Sequence, residues 1–316
     1  MYIYNKQMQS NDNIPWVEKY RPTNFDNIVL DPANRTLFTN IIANEYFPNV
    51  LFYGPPGTGK TTTIINLIRE FQIKCNQRQQ GTVLHLNASD ERGIDIIRNQ
   101  IQQFVKSNNM FESGLKYVIL DEVDYMTKNA QQALKYLIQS SRYNVRFCLI
   151  CNYISKIDAS LKNEFICIRF NQLPKQEIYR FIKSVASNEN IQLSDDVIAS
   201  IQEMYNSDIR SMVNFIQLNQ KMENWTNSII STITWETLHT LFIRNDYTKT
   251  LTFIQETSVK YNIDKKALIK KYFNYVIRNH ARYVTPQFLD TVEVVLHTTD
   301  MGITNVLLYL CHHLYQ

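Results

Sequence analysis

Glycine is scarce in this chain, with seven residues in 316, well below the roughly 7% of average usage. Long apolar runs are missing as well. No stretch approaches the roughly 18 consecutive apolar residues of a membrane span, so no membrane partner is expected. The opening MYIYNKQMQSNDN has no apolar h-region, which argues against a secretory leader and for a soluble, intracellular protein. The five cysteines (Cys75, Cys148, Cys151, Cys167, Cys311) are odd in number and scattered, and three lie in apolar runs. Cys148 and Cys151 have the spacing of a metal or redox pair, but no second Cys/His pair stands nearby at zinc-finger spacing. FCLICNY reads instead as a buried strand.

What is present fits an ordinary globular protein. Hydrophobic residues make up 44% and charged residues 20%, enough apolar material for a full core. The length allows two or three domains at about 100–200 residues each. Net charge is +4, and it is unevenly placed: residues 1–170 hold 19 Lys and Arg against 15 Asp and Glu, while residues 171–316 hold 14 of each. The excess is mild and compatible with a locally basic surface in the first half.

Apolar runs and helical patterns alternate up to Leu173-Pro174. NVLFYG (49–54), VLHLNA (83–88), KYVILDEVD (116–124), VRFCLICNY (145–153) and FICIRF (165–170) read as strands. KTTTIINLIREF (60–71), GIDIIRNQIQQFVK (93–106) and AQQALKYLIQSS (130–141) read as helices. That order predicts an α/β domain with a parallel sheet and right-handed crossovers. Beyond Pro174 only helical periodicity remains, with Ser194-Asp195-Asp196 and Ser207-Asp208 as helix caps. The polar stretch ENWTNSIIST (223–232) marks a second boundary. The expected division is 1–171 (α/β), 172–230 (small helical domain) and 231–316 (helical C-terminal domain).

Three of the seven glycines lie within six residues. Gly54-Pro55-Pro56-Gly57-Thr58-Gly59-Lys60-Thr61 matches G-x-x-x-x-G-K-[ST] and falls between a strand and a helix. In such a loop, backbone N–H groups converge on phosphate oxygens. Lys60 supplies a charge for the β- and γ-phosphates, and the Thr61 hydroxyl is a Mg²⁺ ligand. About 60 residues on, an apolar strand ends in Asp121-Glu122, placing Asp121 to hold Mg²⁺ through water and Glu122 to polarise the attacking water. Asn152 follows the run FCLIC, where it either orients water near the γ-phosphate or only forms a turn. Arg210, near the start of a helix, is either a surface cation or a group that reaches back to the nucleotide and couples its presence to the domain angle.

These residues, together with Pro15-Trp16-Val17-Glu18-Lys19-Tyr20-Arg21-Pro22, LNASDERGID (86–95), LDEVDYMT (120–127), RFCLICNYISKI (146–157) and SDIR (207–210), resemble the AAA+ clamp-loader family, specifically the small subunits of replication factor C. The matching motifs run in family order over roughly 15–215. The resemblance implies an AAA+ domain, a helical lid and an all-α collar. It implies ATP and Mg²⁺ as ligands, with Val17 and Arg21 at the two ends of the nucleotide. Gly54, Pro55, Pro56 and Gly57 to Thr62 form the phosphate loop, Asn152 is sensor 1 and Arg210 is sensor 2. It also implies partners: a hetero-pentameric spiral, a sliding clamp, and primer–template DNA gripped by its phosphates. Arg92, Arg98, Lys128 and Lys135 are candidate DNA contacts. The loop Asn108-Asn109-Met110-Phe111 is either a clamp anchor or a core cap. Localisation would be nuclear in a cellular eukaryote, or a cytoplasmic replication site for a large DNA virus. The abundance of Asn, Ile and Tyr fits an AT-rich genome of either kind.

One departure stands out. Small subunits carry Ser-Arg-Cys after sensor 1, the arginine acting on the neighbour's ATP. Here Asn163-Glu164-Phe165 aligns with it, and a carboxylate opposes transition-state stabilisation there. Arg169, five residues on and within a strand, is not expected to replace the finger. Ser207 also stands where the family has glycine. Two expectations follow: an ATP-driven motor subunit that turns over only inside the complex, or an ATP-binding scaffold that does not activate its neighbour. Another AAA+ machine, such as a branch-migration helicase, is a third.

Overall fold

The computed structural model describes residues 14–77, 82–89, 97–107, 114–141, 144–221, 225, 230, 232–261, 263–297 and 303–314. The chain divides into two compact units, 1–193 with 202–220, and 194–201 with 221–316.

Five parallel strands form the centre of the first unit: β1 Val50–Tyr53, β2 Val83–Asn87, β3 Lys116–Asp121, β4 Val145–Cys151 and β5 Ile166–Arg169, in the order β2-β3-β4-β1-β5. The three inner strands are covered on both faces, which is why each reads as a continuous apolar run. One face packs Leu51, Val118, Leu120, Phe147 and Leu149 against Ala130, Leu134 and Ile138. The other packs Phe52, Tyr117, Ile119 and Ile150 against Phe38, Ile64, Leu67 and Phe71. Cys148 belongs to the second cluster and Cys151 to the first. Strand alternation therefore sends the two thiols to opposite faces, and burial pushes both thiol pKa values up, Cys151 to about 12. The buried-strand reading of Cys-x-x-Cys holds.

The helices of this unit are α1 Trp16–Lys19, α2 Pro32–Ala43, α3 Lys60–Lys74, α4 Gln102–Lys106 (preceded by a π turn, Ile97–Ile101), α5 Lys128–Ser140, α6 Ala159–Lys162, α7 Lys175–Asn188 and α9 Ile209–Leu218; α8, Asp195–Tyr205, spans the division. Sequence reading did not anticipate α2, although Asp31 accepts from the Asn34 N–H as its N-cap and Pro32 opens it. The cap of α9 is Asp208, which accepts from the Ser211 N–H. Ser207 instead accepts a bond from the Leu173 N–H with its hydroxyl, so only one of the two expected cap residues does that work. The start of the expected 93–106 helix, residues 93–96, and the loop with Met110 and Phe111 lie outside the described residues.

The second unit contains α10 Thr232–Ile243, α11 Tyr247–Tyr261, α12 Lys265–Asn279, α13 Pro286–His297 and α14 Ile303–His313. Its core gathers Trp235, Leu238, Phe242, Ile254, Leu268, Tyr272, Phe273, Phe288 and Leu310. Among the described residues, no helix is long and apolar enough to cross a membrane.

Candidate functional site

The carboxyl ends of β3, β4 and β1 are adjacent in the sheet, and each releases a polar segment at the same edge: Asp121-Glu122 after β3, Asn152 after β4 and the glycine loop after β1. In doubly wound sheets ligands gather at this edge. A cleft opens there, lined by Trp16, Val17, Tyr20, Arg21, Ile28, Val29, Pro56 to Thr62, Asp121, Glu122, Asn152, Phe181, Ile209, Arg210 and Val213. Its polar end is the loop and the strand tips; its apolar end comes from α1, the segment after it, α7 and α9.

The loop's shape depends on its glycines. Gly54, Gly57 and Gly59 have φ of 145°, 72° and 84°, values a side chain rarely adopts. At Gly54 a Cβ would lie 2.2 Å from the Phe170 carbonyl oxygen, where β5 ends against the loop. Gly54 and Pro55 do not line the cleft. Their carbonyls accept from the Lys60 ammonium at 2.9 and 2.8 Å, and Asn152 Oδ1 accepts from it at 2.9 Å. Lys60 is 7% exposed. Burial lowers its pKa from the usual lysine value, with Asp121 opposing that shift. A desolvated ammonium held by three neutral oxygens is suited to an anionic ligand.

The Thr61 hydroxyl donates to Asp121 Oδ2 at 2.6 Å. A hydroxyl and a carboxylate oxygen side by side are the hard donors that Mg²⁺ takes, usually alongside waters and substrate phosphates. The residues present therefore fit that ion. Glu122 has left-handed backbone, φ 56°, and lines the cleft beside Asp121. Arg21 donates from Nε to Thr62 Oγ1 at 3.1 Å, which fastens the segment after α1 to the first turn of α3. Arg210 lines the cleft from α9.

The structure thus brings together Val17, Arg21, Pro56 to Thr62, Asp121, Glu122, Asn152 and Arg210. The DNA candidates that the structure describes do not line this cleft. Arg92 is outside the described residues, Arg98 is on the π turn, and Lys128 and Lys135 are on α5 away from the cleft, the first exposed and the second half-buried. Glu164 follows α6, where its Oε1 accepts from Gln139 Nε2 at 2.7 Å. Arg169 is in β5, paired with Tyr53.

Sequence reading missed several contributors. Trp16 and Tyr20 belong to the motif that supplied Val17 and Arg21. The Trp16 N–H donates to Gln217 Oε1 at 3.0 Å, and Lys19 and Tyr20 both donate to Glu189. These bonds tie α1 to the ends of α9 and α7. Phe181, Ile209 and Val213 gave only an ordinary helical period. Asp208, which the sequence marked as a cap, also abuts the glycine loop.

Known proteins resemble this chain in sequence and in fold. Residues 50–172 match the family model for the ATPase family associated with various cellular activities (AAA). The chain is 34% identical to replication factor C small subunit 2 of Pyrobaculum islandicum over 297 residues, covering 91% of this chain and 92% of that one. It is 41% identical to replication factor C subunit 3 of Saccharomyces cerevisiae over 211 residues, 67% of this chain but 61% of the yeast protein's length. It is 38% identical to replication factor C subunit 5 of Homo sapiens over 72% of this chain and 64% of that one. In structure it is similar to the Thermotoga maritima RuvB Holliday junction branch migration motor, with TM-score 0.53 and 13% identity over 84% of this chain and 93% of that one, a likeness of fold alone. With a relative matched over nearly its whole length, the chain belongs to the replication factor C small-subunit family of AAA ATPases.

Proposed function

We propose that this chain is an ATP-binding subunit of a clamp loader, which opens a sliding clamp and places it on primer–template DNA during replication, hydrolysis releasing clamp and DNA. The observation that carries the reading is the desolvated Lys60 ammonium between two loop carbonyls and Asn152, beside the Thr61–Asp121 pair. Lys60 would meet the β- and γ-phosphates. Thr61 and Asp121 would hold Mg²⁺, which would neutralise charge on the phosphate oxygens. Glu122 would orient water, and Asn152 and Arg210 would report on the γ-phosphate from strand and lid. Val17, Tyr20, Ile28 and Val29 supply an apolar wall of the kind a base needs. The reading divides the chain into 1–171, 172–230 and 231–316 as AAA+ domain, lid and collar. It takes the other subunits of a hetero-pentamer as partners, acting in a nucleus or at a viral replication site.

ATPase activity of the reconstituted complex, with clamp and primed DNA, tests it. Lys60→Ala should lower stimulated turnover at least tenfold while the subunits still assemble. Unchanged turnover in an assembled complex would make the site structural and favour a second reading, an ATP-binding scaffold. The carboxylate of Glu164 supports that second reading, because the position aligned with the trans-acting arginine has no cation to offer a neighbour.

A further inference from the structure

The even balance of charge in residues 171–316 conceals a strong local imbalance. From Lys265 to Arg282 the chain reads KKALIKKYFNYVIRNHAR, with six Lys and Arg and no Asp or Glu. This segment is α12 and the short turn after it. Leu268, Ile269, Tyr272, Phe273, Tyr275 and Val276 are buried in the core of the second unit, so the helix is fixed. Lys266, Lys270, Lys271, Asn274 and Arg278 are exposed. Four of these, Lys266, Lys270, Asn274 and Arg278, recur every fourth residue, so they follow one another along the exposed face at about 6 Å of rise per step.

We propose that this stripe is a phosphodiester-binding face, holding the backbone of a nucleic-acid strand without reading its bases. Three observations favour that occupant over other anions. The stripe is linear and about 18 Å long from Lys266 to Arg278, a length over which a strand advancing 3.4 Å per phosphate offers about five charges. With Lys271 beside the stripe, three of the four cations are lysine, a residue depleted in protein–protein interfaces. The face carries a single large apolar side chain, Ile277, 42% exposed, whereas a helix resting on a lipid surface needs a broad apolar side to insert. An amide at its centre, Asn274, adds a neutral donor for phosphate oxygens. The inference goes beyond the ATP site: none of these residues belongs to the nucleotide cleft or to the DNA candidates of the first unit.

Salt dependence gives the test. Four phosphate contacts contribute a slope of about −3.6 to log affinity against log salt on duplex DNA and about −2.8 on a single strand. The duplex value corresponds to a roughly 150-fold weakening between 50 and 200 mM salt. Fluorescence anisotropy of the full chain with a labelled primer–template, a blunt duplex and an oligothymidylate would be compared for wild type and for Lys266→Gln/Lys270→Gln/Lys271→Gln/Arg278→Gln. The expected result is a slope flattened by more than one, at least tenfold weaker binding in 50 mM salt, and unchanged ATP affinity. The duplex and single-strand arms identify which form is held. The charge-preserving Lys266→Arg/Lys270→Arg/Lys271→Arg variant should keep the wild-type slope. Flattening by less than one in the quadruple variant overturns the proposal. So does lost subunit assembly, or lost binding to phosphatidylserine vesicles, with the DNA slope intact, since the face would then serve a protein or a membrane. Should the quadruple variant fail to fold, Lys270→Gln alone carries the same test, with an expected flattening of about 0.9 on duplex and 0.7 on a single strand.

Discussion

A methyl group placed on Gly57 would lie 1.8 Å from Asp208 Oδ1. The glycine loop therefore touches the N-cap of α9 directly, and the Ile209 N–H completes the contact by donating to the Gly57 carbonyl at 3.2 Å. Asp208 is already held by the Ser211 N–H and hydroxyl at 3.0 and 2.7 Å, so it has little freedom to retreat. The residue after Ile209 is Arg210. The phosphate loop and the start of the helix that carries Arg210 thus share one packing contact.

Gly57→Ala should accordingly weaken ATP binding at least tenfold, through this collision and through the positive φ. Asp208→Ala in the same chain should recover part of the loss, while by itself lowering stability by about 1 kcal/mol through the missing cap. Titration with a fluorescent ATP analogue and thermal melting measure the two effects. If the double variant binds no better than Gly57→Ala, backbone strain alone explains the glycine.

Lys60 gives ATP binding a pH dependence of known sign. Burial holds its pKa below the usual lysine value, and phosphates beside the ammonium favour the charged form. The bound-state pKa then exceeds the free-state one. Between the two values binding takes up a proton, and affinity falls as pH rises. Calorimetric titrations at neutral and alkaline pH, in buffers of different ionisation enthalpy, should show uptake only at the higher pH. Lys60→Ala should lose the uptake along with most of the affinity; a variant that keeps it would place the proton on another group.

Much of this was legible in the sequence, for identifiable reasons. A sheet covered on both faces writes Val118, Ile119 and Leu120, or Phe147 to Ile150, as unbroken apolar runs. A phosphate loop needs glycine where φ is positive, and in a chain this poor in glycine Gly54, Gly57 and Gly59 were conspicuous. Helix α2 escaped because Phe38 and Ile41 are interleaved with Asn and Thr, leaving Asp31-Pro32 as its main signal. Gln217 under Trp16, Glu189 under Lys19 and Asp208 against Gly57 escaped for a different reason. Each joins residues roughly 150 to 200 positions apart, and local periodicity does not specify which distant loop a helical side chain meets.

Glu164 and Gln139 share a single surface hydrogen bond, so Glu164→Arg should change stability by no more than about 0.5 kcal/mol. In the reconstituted complex the same change should act on the adjacent subunit's ATP. Arginine fingers contribute about 10³–10⁵ in turnover, so even a poorly placed guanidinium should raise the complex's DNA-stimulated ATPase tenfold or more where the neighbour lacks only that group. An assembled complex with unchanged turnover would show that the neighbouring site is limited by something else.

The second unit carries its own pH sensitivity. His239 is 3% exposed, its Nδ1 lies 3.0 Å from the Tyr272 hydroxyl, and its ring stacks on His280 at 4.2 Å. His280 in turn meets Glu236 at 3.2 Å, and Glu236 also accepts from the Tyr275 hydroxyl. Burial, and then the charge of His280, bring the His239 pKa down from 6.5 to about 4, with Glu236 opposing and Arg282 adding to the decrease. Because the unfolded histidine binds its proton more readily, stability is present above pH 6.5 and is lost as pH falls towards 4. The loss attributable to this group is about 3 kcal/mol, or roughly 10 °C or more in the melting of a unit this size. Glu236 adds in the same direction, since the Tyr275 hydrogen bond lowers its pKa and acid removes that contribution too. Thermal melting at pH 7 and pH 4.5 should show the fall in wild type. His239→Gln, which does not titrate here, should be less stable at pH 7 yet lose distinctly less on acidification. Equal losses in the two proteins would mean that carboxylates, not this buried histidine, set the acid limit.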